Sequence, residues 1–340
     1  MRICLIKTSS MGDVIHTLPA LTDAQRAVRN FRVDWVVEEN FAEIPRWHSA
    51  VDNVIPIALR RWRKSPCSRQ TRQQWQAFKQ KLQENQYDLV IDAQGLMKSA
   101  FFATRLAQGE KHGYNWRNCR EPIASLFYDK KHAIAYQQHA VERIRQLFAQ
   151  SLAYALPKQR GDYGIAPHFQ QTALVKILGN IAAPFGETIE NSPAPYALFI
   201  HSTTRDDKHW PEAHWRELIE LLAAAAPMLQ IRLPWGNETE RARAIRLSET
   251  APNVQVLPKL TLSELANQIA HAQAVVSVDT GLAHLTAALA KPNLTLYGAT
   301  DPKLIGCYGE NQHYLFANSM VEILPNQVLT SFCAMLPERA

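Results

Sequence analysis

MRICLIKTSSMGDVI (residues 1–15) and AVVSVDTGLAHL (residues 274–285) follow one pattern. In each, an apolar run (1–8 and 274–278) feeds a short turn, Gly12-Asp13-Val14 or Asp279-Thr280-Gly281, and then a helix-like stretch. In open α/β sheets, ligands bind beyond the carboxyl ends of the strands, beside helix N-termini. Two such turns, one per half, predict two Rossmann-like, doubly wound domains facing each other across a cleft. One half then holds an activated donor and the other an acceptor.

The surrounding chain fits that frame. Buried-strand runs at 2–7, 32–37, 53–57 and 88–93 alternate with amphipathic stretches at 15–28, 72–86 and 140–152, as a parallel sheet covered by helices requires. From about 156 to 195 the periodicity weakens and Pro and Gly accumulate, with one helix expected over 169–178. Alternation restarts with strands at 196–201, 230–233, 254–257, 274–278 and 293–297. Helices fit 212–225, 238–248, 262–273 and 282–290. Pro211 suits a first helical turn, and Thr261 or Ser263 suits a cap. The domains expected are 1–165, a linker region over 166–195, and 196–324, with 325–340 crossing back to the first domain.

The chain has 340 residues, 46% hydrophobic and 20% charged, enough for two cores. It has no apolar run of about 18 residues or more that would span a membrane. Residues 1–8 are too short for a secretory leader and read as the first strand. Five cysteines without C-x-x-C spacing fit reduced thiols and a cytoplasmic protein. The net charge of +6 is uneven: residues 1–165 hold 25 Lys and Arg against 15 Asp and Glu. That half suits an anionic membrane surface, a nucleic acid, or a phosphorylated or carboxylated substrate. No helix-turn-helix or RNA-binding aromatic signature accompanies the charge, which argues against nucleic acid. Hydrolase motifs and metal-ligand clusters are absent, and no metal is expected.

Three further stretches carry chemistry. In HSTTRDDKHW (201–210), the Ser202, Thr203 and Thr204 hydroxyls and the Lys208 ammonium converge where a diphosphate would sit; the alternative is a polar loop before the helix near Pro211. In VDTGLAH (278–284), the amides of Thr280, Gly281 and Leu282 open a helix whose dipole favours an anion, with His284 one turn on; the alternative is an Asp279 cap and a structural histidine. Asp13 reads as a general base for an alcohol nucleophile or as a helix cap. Arg60, Arg61, Arg63 and Lys64, with Lys98 and Arg120, cradle an anionic acceptor or form a solvated basic face.

Across nearly its whole length the chain resembles the lipopolysaccharide heptosyltransferases, inverting two-domain (GT-B) glycosyltransferases of family 9. The likeness rests on KTSSMGDVIHTLPALTDA (7–24), DWVVEE (34–39), RRWRK (60–64), DAQGLMKSA (92–100), TTRDDKHWPE (203–212), LPWG (233–236) and VSVDTGLAHLTAAL (276–289). The first segment is nearer to the type that adds the first heptose than to its sibling that adds the second. The resemblance implies ADP-L-glycero-β-D-manno-heptose as donor in the C-terminal domain, a substrate rather than a cofactor. The implied acceptor is the first Kdo of Kdo2-lipid A, met by a peripheral monomer at the cytoplasmic face of the inner membrane. Asp13 then matches the general base. Thr203, Thr204 and Lys208 match diphosphate contacts, with Lys208 balancing charge as ADP leaves. Thr280, Gly281 and His284 match a second phosphate loop, and Asp279 a contact to heptose hydroxyls. Glu240 matches a ribose contact, and Leu260 stands where relatives often carry Met beside adenine. Arg60, Arg61, Arg63, Lys64, Lys98 and Arg120 match acceptor-side cations.

Two rival readings remain. One is another GT-B enzyme, either the second heptosyltransferase or a nucleotide-sugar epimerase, although the basic 60–64 run has no use in an epimerase. The other is a non-catalytic sugar-nucleotide-binding protein.

Overall fold

The computed structural model describes residues 1–169, 194–298 and 300–336. Most of the stretch 166–195, with the helix expected over 169–178, lies outside the described residues. The chain divides into two units, Met1–Ile165 and Ala166–Ala340.

The first unit is built on β1 (Arg2–Ile6), β2 (Arg32–Glu38), β3 (Val51–Ile57), β4 (Gln86–Asp92), β5 (Gln108–Tyr114) and β6 (Lys130–His132). Their order in the sheet is β3-β2-β1-β4-β5-β6, and each neighbouring pair is parallel. The second unit carries β7 (Tyr196–Ile200), β8 (Gln230–Leu233), β9 (Val254–Val256), β10 (Ala274–Val278), β11 (Asn293–Tyr297) and β12 (Gln312–Phe316). Its order, β12-β11-β10-β7-β8-β9, repeats that of the first unit, again with parallel pairs throughout. Strand order reverses between β1 and β4 and between β7 and β10. These are the switch points at which doubly wound sheets leave a crevice for ligands.

Burial explains which strands the sequence pattern finds. β7, β10 and β11 are buried at every position, and β1 at all but its first. Covered on both faces, such strands become continuous apolar runs. β5 (QGEKHGY), β6 (KKH) and β12 (QHYLF), absent from the sequence reading, lie towards the sheet edges; β5 and β6 are largely polar, and β12 has no fully buried position. The helix expected over 15–28 is two helices, Met11–Ile15 and Leu18–Ala27. Pro211 stands at the N-cap of Glu212–Ala225, outside the first turn. Thr261 caps Leu262–His271: its Oγ1 accepts from Glu264 N at 3.2 Å while Glu264 Oε2 accepts from Thr261 N at 2.8 Å.

For 325–340, where the sequence suggests a crossing to the first domain, the structure gives a helix, Pro325–Cys333, whose Val328 and Phe332 enter the second unit's core. The Phe332 ring lies 6.1 Å from that of Phe199 on β7. Nearby, Trp210 meets Trp215 edge-on at 4.9 Å and donates from Nε1 to the Ile323 carbonyl at 2.9 Å. Truncating a buried aromatic such as Phe332 to Ala costs about 3–5 kcal/mol in lost burial and cavity formation.

Candidate active site

Parallel strands end on one side of their sheet, so the residues singled out in the sequence gather along two C-terminal edges. In the first unit these are Asp13 after β1, the 60–64 run after β3, Lys98 after β4 and Arg120 after β5. In the second they are the 203–208 loop after β7, Glu240 after β8, Leu260 after β9 and the 279–284 turn after β10.

At the first switch point, the turn leaving β1 is anchored by the end of β4. Gln94 Oε1 accepts from Thr8 N at 2.9 Å and from Ser9 N at 3.1 Å. Gln94 is itself fixed by fully buried Asp92, whose Oδ1 accepts from Gln94 N at 2.9 Å and Gly95 N at 3.1 Å. Gly95 turns the chain here with φ +65°, a left-handed conformation that favours glycine. Lys7 is buried, and its ammonium donates to the Ala93 carbonyl at 3.0 Å.

Asp13 projects from the short helix Met11–Ile15. Its Oδ2 accepts from both the backbone N and the Oγ of Ser10 at 2.9 Å, and its Oδ1 lies 3.6 Å from Lys7 Nζ. The N-cap is Ser10, so Asp13 supports the cap from three residues on, with its side chain 31% exposed. Burial pushes the Asp13 carboxyl up, but the Lys7 charge, the Ser10 hydrogen bonds and the Arg120 charge more than offset it. The group is held below its ordinary value. Lys7 is lowered by burial, with Asp13 acting against the shift. Asp13 is therefore an ionised, reachable carboxylate at the strand end where doubly wound sheets open a crevice.

Beside it lies a cleft of about 1070 Å³ lined by Thr8, Ser9, Glu38, Arg60, Arg63, Lys64 and Lys98 among others. The exposed Arg63, Lys64 and Lys98 have no ion-pair partner among the described residues, so their donors are not taken up by neighbouring carboxylates. Arg61 differs: Glu39 grips its guanidinium with two bonds of 2.9 Å, and Gln74 accepts a third at 2.7 Å. Glu38 is buried in the cleft wall and accepts from Arg60 N at 2.8 Å. Burial raises its pKa against the pull of Arg60 and Lys98. Arg120 is exposed and within electrostatic reach of Asp13 and Lys7.

At the second switch point, the Thr203 hydroxyl donates to the Asp279 carbonyl at 3.0 Å, and Lys208 Nζ lies 2.5 Å from Asp279 Oδ2. The 203–208 and 279–284 loops are thus in contact. Thr204 is exposed, while Thr280 and Gly281 are half-buried at the start of the helix Gly281–Ala288. Neither Gly12 nor Gly281 takes a left-handed φ. His284 is buried one turn on, its Nδ1 3.9 Å from Cys307 Sγ. Glu240 accepts from Gly236 N and Asn237 Nδ2, both at 2.7 Å, and so tightens the cap of Glu238–Ser248. Any ribose contact shares its carboxylate with those bonds. Leu260 is half-buried just before the Thr261 cap.

Lys7, Gln94, Asp92 and Gly95 are not among the residues that the sequence singles out. All sit in the quoted segments KTSSMGDV or DAQGLMKSA. A lysine inside an apolar strand end was the one available signal, since a buried ammonium needs a partner. Among the described residues, no group of three or more His, Cys, Asp and Glu is placed to hold a metal ion.

A family model, Glycosyltransferase family 9 (heptosyltransferase), matches residues 75–327. Lipopolysaccharide heptosyltransferase 1 of Escherichia coli K12 is 58% identical over 312 residues, 92% of each chain. Its counterpart in Pseudomonas aeruginosa is 50% identical over 315 residues, covering 93% of this chain and 83% of the relative. Among solved structures, E. coli heptosyltransferase WaaC with ADP aligns at TM-score 0.90 and 54% identity, covering 98% of this chain and all of that one. The same enzyme with ADP-2-deoxy-2-fluoro heptose aligns at TM-score 0.87 and 53% identity, over 98% and 99% of the two chains.

Proposed function

The chain belongs to glycosyltransferase family 9, the heptosyltransferases, and on that premise we propose that it moves L-glycero-D-manno-heptose from ADP-heptose to the first Kdo of Kdo2-lipid A, with Asp13 as general base. It is a glycosyltransferase of lipopolysaccharide inner-core synthesis with an α/β, two-domain fold. ADP-heptose as donor is supported by the likeness to the enzyme solved with ADP and with a fluorinated ADP-heptose.

In the proposed step, a Kdo hydroxyl oxygen bonds to the anomeric carbon of heptose as the bond from that carbon to the diphosphate oxygen breaks. The configuration inverts and ADP departs. The hydroxyl proton passes to Asp13, and Lys208, Thr203 and the amides near Thr280 and Gly281 offset the charge growing on ADP. Asp279 and His284 border the sugar and phosphates, Glu240 and Leu260 the nucleoside. Arg60, Arg63, Lys64, Lys98 and Arg120 take the acceptor's carboxylates and phosphates, while Arg61 reaches them only by loosening Glu39. A lowered carboxyl pKa keeps the base in its ionised form at neutral pH and makes it a weaker proton acceptor. Proton transfer then runs with ADP departure rather than ahead of it. Membrane contact in this reading is peripheral and at the cytoplasmic face; no helix of the described residues is long and apolar enough to cross a bilayer.

The observation that carries the proposal is the partly exposed, ionised Asp13 at the β1/β4 switch point, beside a cleft whose Arg63, Lys64 and Lys98 have no ion-pair partner among the described residues. The test incubates purified protein with ADP-heptose and deacylated Kdo2-lipid A and reads the product by mass. Gain of one heptose supports the proposal; unchanged acceptor with intact donor contradicts it. Transfer only to an acceptor that already bears a heptose would favour the second-heptose enzyme.

A further inference from the structure

One feature of the first unit has no role in the cleft chemistry. Four large apolar side chains stand exposed on two adjoining segments: Phe101 at 41% and Phe102 at 37% on Ala100–Thr104, and Ile123 at 51% and Leu126 at 67% on Pro122–Phe127. The segments meet where the Phe101 and Phe127 rings lie 6.4 Å apart. Clustered exposed apolar groups of this size mark interaction surfaces.

The surroundings of the patch identify its partner. Phe102 also lines the basic cleft together with Lys98, one turn earlier on the same segment. The Arg105 guanidinium lies over the Phe101 ring at 4.1 Å. Arg63 and Lys64 continue the positive rim from the cleft side. Acidic groups nearby are engaged: Glu121 accepts a hydrogen bond from Met97 N at 2.6 Å, and on the cleft side Glu38 accepts from Arg60 N and Glu39 pairs with Arg61. Aromatic and leucine side chains beside exposed lysine and arginine are what seats a protein in the headgroup layer of an anionic bilayer. A dry protein interface would bury those cations at a cost.

We infer that Phe101, Phe102, Ile123 and Leu126 form a membrane-apposed platform that dips into an anionic bilayer surface beside the basic cleft. The inference rests on the proposed function in that the acceptor there is a lipid-anchored anion. The platform sets the cleft mouth against the headgroups, so an acceptor reaches the cations without leaving the membrane.

The full chain is sedimented with vesicles of phosphatidylethanolamine and phosphatidylglycerol in equal parts, free of any acceptor. Wild type should bind. The variant Phe101→Ser with Leu126→Ser should bind about tenfold more weakly, since interfacial affinity scales with buried apolar area. Phe316→Ser, which removes an exposed side chain of the second unit, should bind as wild type does. Transfer to the soluble, deacylated acceptor should be unchanged in the double variant, which also shows that it folds. Wild-type binding that survives the double substitution overturns the platform. So does absent vesicle binding, including the case where the double variant instead loses self-association, which would assign the patch to a second copy. Failure of soluble transfer in the wild type overturns the proposed function and leaves the vesicle result to be judged by itself.

Discussion

Lys208 and Asp279, on the loops after β7 and β10, form an ion pair with Nζ 2.5 Å from Oδ2, the two side chains 16% and 9% exposed. Parallel pairing of β7 with β10 brings together residues far apart in sequence, and Thr203 ties the same loops through the Asp279 carbonyl. The lysine is thereby held in place before any diphosphate arrives. On the proposed function, a bound diphosphate would draw that ammonium away from Asp279 or share it.

Lys208→Met should lower turnover about 100- to 1000-fold, the usual effect of removing one group that offsets leaving-group charge. The KM for the acceptor should stay within about twofold, because uniform acceptor binding does not involve this lysine. The substitution also strands Asp279 as a buried charge, so the melting temperature should fall. Lys208→Met with Asp279→Asn should recover stability but not turnover. Steady-state kinetics and thermal melts of the two variants check this; recovered turnover in the double variant contradicts the assigned role.

Lys7→Met should move the acid limb of the pH–rate profile to higher pH. The Lys7 charge opposes the upward push of burial on Asp13. Without it, only the Ser10 hydrogen bonds and the Arg120 charge oppose burial, so the carboxyl protonates at higher pH and the base is lost sooner on acidification. The profile of kcat/KM against pH, measured with the deacylated acceptor, reads the shift directly. An unmoved acid limb excludes Lys7 as the group that holds Asp13 ionised.

The basic run should split by partner. Arg63→Ala with Lys64→Ala removes cations without ion-pair partners among the described residues and should raise acceptor KM about 10- to 100-fold, with donor KM unchanged. High salt should produce a similar defect in wild type. Arg61→Ala should change acceptor KM less and cost stability through the loss of its Glu39 and Gln74 bonds. Equal acceptor defects in the two variants would show that Arg61 leaves Glu39 to bind substrate.

How much of this was legible follows from burial. The central strands and both strand-end turns stand out because residues covered on two faces are apolar without interruption, as in AVVSV and YALFI. β5 and β6 do not, because QGEKHGY and KKH contain too few apolar residues to show a strand period, and β12 does not, because QHYLF is a five-residue edge strand with no buried position to set one face apart. At the site, Asp13 and the cations were legible as residue types next to strand ends. Gln94 was not: its importance lies in accepting from two amides of a turn 85 and 86 residues away, which no local pattern encodes. Glu240 was singled out for a ligand contact, and the structure adds a capping role visible only once the helix start is known.

Acid should loosen both units through buried histidines. Burial lowers His48 in the first unit and His201 in the second to about 4. An unfolded chain protonates these groups near 6.5 and so binds more protons between the two values. Stability is therefore present above about pH 6.5 and is lost as pH falls towards 4, by on the order of 3 kcal/mol per histidine. His48→Gln, which keeps a partner for the Thr22 hydroxyl now 3.0 Å from Nε2, should flatten part of that dependence. Melting temperatures at about pH 7 and pH 5 test this; an identical drop in the variant would remove His48 as a cause.

The central claim is that Asp13 takes the acceptor's proton, and Asp13→Asn tests it most directly. Asparagine keeps the size of the side chain and removes the base. Transfer of heptose from ADP-heptose to deacylated Kdo2-lipid A, followed by mass, should fall about 100- to 10,000-fold while donor affinity by calorimetry stays within about twofold. Transfer at the wild-type rate by Asp13→Asn would contradict the account.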